Sequence, residues 1–100
     1  MPLMIEVPAE ELAEFCRRNR IRRLRAFGSV LRDDFTPESD IDLIVEFEPD
    51  ARVGLITLAG IELELSELVG RTVDLNTPRM LSKYFRDRVL AEAEVLYDRA

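Results

Sequence analysis

Asp40 and Asp42 stand two apart at the head of a branched apolar run, Ile41-Asp42-Leu43-Ile44-Val45, and Asp74 sits in a second one, Val73-Asp74-Leu75. On an extended strand such a pair shares one face with its Cα atoms about 6.5–7 Å apart, so both carboxylates can reach one metal site. Paired Mg²⁺ ions in phosphoryl transfer lie about 3.5–4 Å apart, a gap that two aspartates and substrate phosphate oxygens can bridge. Upstream, Gly28-Ser29 offers backbone N–H groups and a hydroxyl suited to phosphate oxygens. Each feature alone has an ordinary explanation, a turn end for the aspartates and a helix N-cap for Ser29. The joint pattern Gly-Ser, ten residues, Asp-x-Asp would arise by chance in on the order of one such chain per thousand.

The elements that must position these residues can be read from periodicity and breakers. Residues 8–19 carry Leu12, Phe15 and Cys16 at helical spacing, with Glu10, Glu11 and Glu14 toward the N-terminal end. A short strand is expected at 24–27 and a brief turn capped by Ser29 at 30–33, followed by a polar loop to Ser39 and the clearest strand at 40–47. Residues 54–69 predict a helix with Leu55, Leu58, Ile61, Leu65 and Leu68 turned inward and Gly70 just past its end. A strand at 72–76 and a last helix at 77–94, opened by Thr77-Pro78 and striped by Leu81, Phe85 and Val89, complete the order. The fold class is therefore α/β: one domain over 1–100, with a short mixed sheet of about three strands flanked by about four helices.

Composition narrows the chemistry. The chain has no histidine and one cysteine, which removes Cys/His zinc sites, Ser-His and Cys-His pairs and internal disulfides, and leaves acid, base and metal work to carboxylates. A net charge of −6 opposes general affinity for nucleic acid. No apolar run approaches the roughly 18 residues of a membrane span, and the N-terminus does not read as a signal peptide, so a cytoplasmic location is expected.

The stretch from Phe27-Gly28-Ser29-Val30-Leu31-Arg32 to Ser39-Asp40-Ile41-Asp42-Leu43-Ile44-Val45-Glu46-Phe47 resembles the signature of the polymerase-β-like nucleotidyltransferase superfamily, in its minimal nucleotidyltransferase (MNT) branch. The similarity continues through Leu68-Val69-Gly70-Arg71, Val73-Asp74-Leu75 and Lys83-Tyr84 to Arg88-Val89-Leu90. The resemblance implies that Gly28 and Ser29 contact the triphosphate of ATP, with Arg32 as a further phosphate contact. It makes Asp40 and Asp42 the shared ligands of two Mg²⁺ ions, and Asp74 the third ligand near the attacking hydroxyl. It further implies a HEPN-domain toxin as partner, with the chain serving as antitoxin, in some members by adenylylating a toxin tyrosine. The chain departs from the branch at Asp33, where glycine is usual, and at Val30, commonly polar or basic. A carboxylate beside a triphosphate weakens its binding or redirects it toward a metal.

Two other functions fit the same residues: an idle MNT-like subunit acting by contact alone, and a small-molecule transferase such as an antibiotic-modifying enzyme. Away from the aspartates, the arginines at 17, 18, 20, 22, 23 and 25 are expected to form a solvated face, several of them closing a helix C-terminus. Glu62, Glu64 and Glu67 are expected on the wet side of a helix, Cys16 in the core, and Tyr84 as a partly buried aromatic.

Overall fold

A computed structural model describes residues 8–28, 40–84 and 86–99. Helix α1 (Ala9–Arg18) has Glu10 and Glu11 in its first turn and Arg17 and Arg18 in its last, each charge placed to favour the helix dipole. Strand β1 (Ile21–Phe27) pairs antiparallel with β2 (Ile41–Phe47). Helix α2 (Leu55–Val69) then carries the chain over to β3 (Val73–Asn76), which lies parallel to β2, as a strand–helix–strand crossover allows. Gly70 ends α2 with φ +74°, a conformation that costs glycine little, and donates its N–H to the Ser66 carbonyl at 2.9 Å. A 3₁₀ turn (Pro78–Met80), helix α3 (Arg86–Glu92) and strand β4 (Glu94–Asp98) follow, and β4 pairs antiparallel with β1. The sheet order is β3-β2-β1-β4.

The α/β class holds, with changes in detail. The sheet has four strands rather than about three, and the expected final helix breaks up. Leu81 is extended after the 3₁₀ turn (φ −81°, ψ 145°), α3 is only seven residues long, and Glu94–Asp98 pairs with the edge of β1. Val89 keeps its expected helical place within α3, whereas β4 is formed by residues almost wholly beyond the expected helix. Strand β1 also begins earlier than expected, at Ile21. The expected turn at 30–33 and the loop at 34–39 lie outside the described residues.

Strand alternation sorts the sheet into two faces. Leu24, Ala26, Ile41, Leu43, Val45, Val73 and Leu75 are buried together with Leu12, Phe15 and Cys16 of α1 and Ile61 and Leu65 of α2. Both helices therefore cover one face, and Asp42 and Asp74 fall on the other. Cys16 is wholly buried, and burial pushes its thiol pKa up to about 12, as a core residue rather than a nucleophile would have. Leu55, expected to point inward, is instead 80% exposed.

Glu62 departs from expectation in the other direction. Its Oε2 accepts the Leu75 N–H at 2.7 Å, and the Ser66 hydroxyl accepts the Val73 N–H at 3.0 Å. One helical turn, about 6 Å, matches two strand residues, so α2 satisfies alternate donors along the outer edge of β3 and closes it to further pairing. Glu62→Ala is expected to cost about 1–3 kcal/mol, the penalty for orphaning a half-buried donor and losing a charge-assisted bond. Glu64→Ala, which breaks only an exposed 3.4 Å pair with Arg18, should stay within about 0.5 kcal/mol. Urea unfolding of both variants checks this, and equal losses would mean that the edge bond contributes nothing.

Candidate active site

The parallel ladder sets Asp42 directly opposite Asp74, between Ile41 opposite Val73 and Leu43 opposite Leu75. Neighbouring strands lie about 4.8 Å apart, so the two carboxylates leave the same face side by side. Asp42 is half-buried and Asp74 exposed. Asp40 is also exposed and precedes the first rung, where the next residue, Ile41, donates its N–H to the Thr72 carbonyl at 2.9 Å.

Gly28 closes on the same point from β1. Phe27 is the register partner of Asp42, and the chain then turns with φ +77° at Gly28. A Cβ built there would stand 2.5 Å from Asp42 Oδ2, closer than real contacts allow. The glycine thus suits this position twice, for its left-handed backbone and because any side chain there would push the Asp42 carboxylate from its place. The sequence motif had offered Gly28 only as a phosphate cradle.

Of the expected site residues, the structure brings Gly28, Asp42 and Asp74 together and sets Asp40 at the entrance to β2. Ser29 and Arg32 lie outside the described residues, as does Asp33. Asn76 was not singled out from the sequence; two residues past Asp74 on the same strand, it adds a half-buried amide to that face. Alternation from Asp74 was the available signal.

The same face carries an ion-pair network. Arg25 Nη1 donates to Glu46 Oε2 at 2.7 Å, Arg23 Nη1 lies 3.6 Å from the same oxygen, and Arg23 Nε lies 3.2 Å from Asp98 Oδ2. The run of arginines expected on one solvated face is therefore divided. Arg17 and Arg18 close α1, whereas Arg23 and Arg25 are partly buried and join β1 to its neighbours. Tyr84 is 85% exposed, not partly buried, with the Lys83 ammonium 5.5 Å from its ring centre.

Oxygen donors on one strand face suit a hard divalent cation such as Mg²⁺, which is usually held by one or two carboxylates plus phosphate oxygens and water. Among the described residues no three His, Cys, Asp or Glu side chains gather into a closed metal cage. Asp42 and Asp74 fit the two-carboxylate arrangement that leaves room for a phosphate ligand.

Comparison with known proteins shows the family and the fold. The model of the nucleotidyltransferase domain family matches residues 9–96. A protein of Methanocaldococcus jannaschii named "Putative protein adenylyltransferase" is 36% identical over 73 residues, covering 73% of this chain and 76% of its own length. A solved structure described as a putative minimal nucleotidyltransferase is 38% identical, with 85% of each chain covered and a TM-score of 0.69. A toxin-antitoxin structure with AMP-PNP has a TM-score of 0.72 at 20% identity, over 92% of this chain and 74% of that one. A complex of the tri-AMPylated Shewanella oneidensis HEPN toxin with its MNT antitoxin scores 0.63 at 21% identity, over 90% and 69%. These last two likenesses are of fold. Among the described residues, no helix is long and apolar enough to cross a membrane.

Proposed function

The chain belongs to the nucleotidyltransferase domain family, and from that premise we propose that it transfers AMP from ATP to a hydroxyl, with a tyrosine of a helical HEPN-type toxin as acceptor, and so acts as the antitoxin. The observation that carries the proposal is the pairing of Asp42 with Asp74 on adjacent parallel strands, with Gly28 set against the Asp42 carboxylate. The relative named as a protein adenylyltransferase supports a protein acceptor, and the likeness in fold to MNT antitoxins supports a HEPN partner.

In the proposed reaction the acceptor oxygen bonds to the α-phosphorus, the bond to the β-phosphate oxygen breaks, and pyrophosphate leaves. Asp40, Asp42 and Asp74 would hold two Mg²⁺ ions, which when bound neutralise phosphate charge and favour the attacking oxygen. Gly28 lets the backbone approach the triphosphate without displacing Asp42, and Ser29 and Arg32 contribute a hydroxyl and a guanidinium to its oxygens. Asp74 is exposed, so it can meet an acceptor from solvent and accept the hydroxyl proton.

Mg-ATP should protect the fold, since a ligand selective for the native state at a hundredfold excess over Kd stabilises it by about 2.7 kcal/mol. Thermal melts should rise with ATP and Mg²⁺ together, and Asp42→Asn should abolish the Mg²⁺-dependent part. An unmoved midpoint at millimolar Mg-ATP would overturn the proposal.

A further inference from the structure

Part of the arginine run meets the start of α2 at a cleft far from the aspartates. Arg18, Arg20, Asp50, Arg52, Thr57 and Ile61 line a space of about 340 Å³ between the end of α1, the loop after β2 and the first turn of α2. Strand β2 runs from the Asp42 end toward Phe47, and Asp50 lies beyond it. The cleft therefore stands at the opposite end of the sheet, about 17 Å or more from Asp42 along the strand.

Its charge is of the opposite sign to that of the whole chain, which is −6. Three arginines and one carboxylate line it. Asp50 is engaged by Arg20, whose hydrogen bond and charge hold its carboxyl below the usual carboxylate range. Glu64 touches Arg18 only loosely, at 3.4 Å with both side chains more than half exposed. Arg99, beside Asp50, is balanced by Glu48 at 2.7 Å. Arg52 is exposed and has no ion-pair partner among the described residues.

Arg20 also holds a left-handed backbone, φ +60°, the only residue other than glycine with positive φ among the described residues. Its N–H donates to the Arg17 carbonyl at 3.2 Å, and its own carbonyl accepts the Glu48 N–H at 2.9 Å. That conformation costs a residue with a Cβ more than an exposed ion pair returns. Glycine would serve this turn better, so the guanidinium answers to something other than the fold.

We infer that this cleft binds the phosphate group of a small phosphomonoester, at a site separate from the aspartates and independent of the proposed transfer reaction. The lining leaves two positive charges uncompensated, which a phosphomonoester of about −2 balances and a single carboxylate does not. Arginine forks bind phosphate oxygens in pairs of hydrogen bonds, and three arginines match the three terminal oxygens of such a group. The Thr57 hydroxyl adds a further donor, while Ile61 supplies an apolar wall for the carbon end of the ligand.

Amide NMR of the full chain, titrated with glycerol 2-phosphate without Mg²⁺ or ATP at constant ionic strength, tests the inference. The expected result is saturable shifts at residues 18–20 and 50–57, with little movement at Gly28, Asp42 and Asp74, and much weaker shifts with succinate. Arg52→Ala and Arg20→Gly should each weaken binding about tenfold or more, as the loss of a charge-assisted hydrogen bond would. Arg20→Gly should do so while keeping or raising the urea midpoint, which an arginine held only for the fold would lower. Shifts confined to Gly28 and Asp42, no saturable shift at the cleft, or equal shifts with succinate would overturn the inference. So would unchanged binding in either variant, or a lowered urea midpoint in Arg20→Gly.

Discussion

Asp74→Asn is expected to lower AMP transfer by about 10²-fold or more while most Mg-ATP affinity remains. Asp74 lies on the edge strand, exposed, one strand out from Asp42, which is half-buried against Gly28. In the proposed reaction the inner aspartate serves the nucleotide and the outer one the acceptor. On that proposal, losing the outer carboxylate would remove the proton acceptor and a fixed charge from the acceptor side and leave the nucleotide side intact. Asp40→Asn and Asp42→Asn should weaken both steps. Calorimetry for affinity and single-turnover transfer of labelled AMP separate the two effects, and unchanged transfer in Asp74→Asn would remove this residue from the site.

A comparably large loss is expected from a single methyl group at Gly28. Gly28→Ala places a Cβ where Asp42 Oδ2 now lies, so either the carboxylate or the turn must move. Misplacement of about 1 Å at a reacting centre costs on the order of 10²-fold in rate. Gly70→Ala provides the control, because its φ of +74° nearly equals the +77° of Gly28, yet its Cβ would enter open space. Both variants should therefore lose about 1 kcal/mol of stability from left-handed strain. Only Gly28→Ala should also lose Mg-ATP-dependent protection and transfer. Equal transfer by the two variants would show that the Gly28–Asp42 contact is unimportant to the reaction.

Much of this arrangement was legible in residue order because it rests on local rules. The branched run 41–45, interrupted by one aspartate, marks a strand buried on both faces, and Ile44, on the same face as Asp42, is as fully buried as Ile41, Leu43 and Val45. Helix α2 was legible from spacing, although apolar type did not distinguish Ile61, which is buried, from Leu55 and Ile56, which are exposed. What was not legible depended on distant partners. Strand β4 depends on the edge that β1, far upstream in the chain, offers to its backbone. Glu62 is held by Leu75, thirteen residues away, through a bond that no periodicity encodes. The pairing of Asp42 with Asp74 likewise needed the parallel register of β2 and β3, since the sequence supplied two carboxylate strands without their alignment.

The central claim, that these aspartates serve AMP transfer, is tested most directly by incubating the chain with Mg²⁺, α-phosphate-labelled ATP and a HEPN-type helical protein from the same organism. The predicted result is label covalently bound to a tyrosine of that partner, with pyrophosphate released in equal amount, and none with Asp42→Asn. An unlabelled partner that nevertheless binds the chain would contradict the claim and leave the domain as a subunit acting by contact alone.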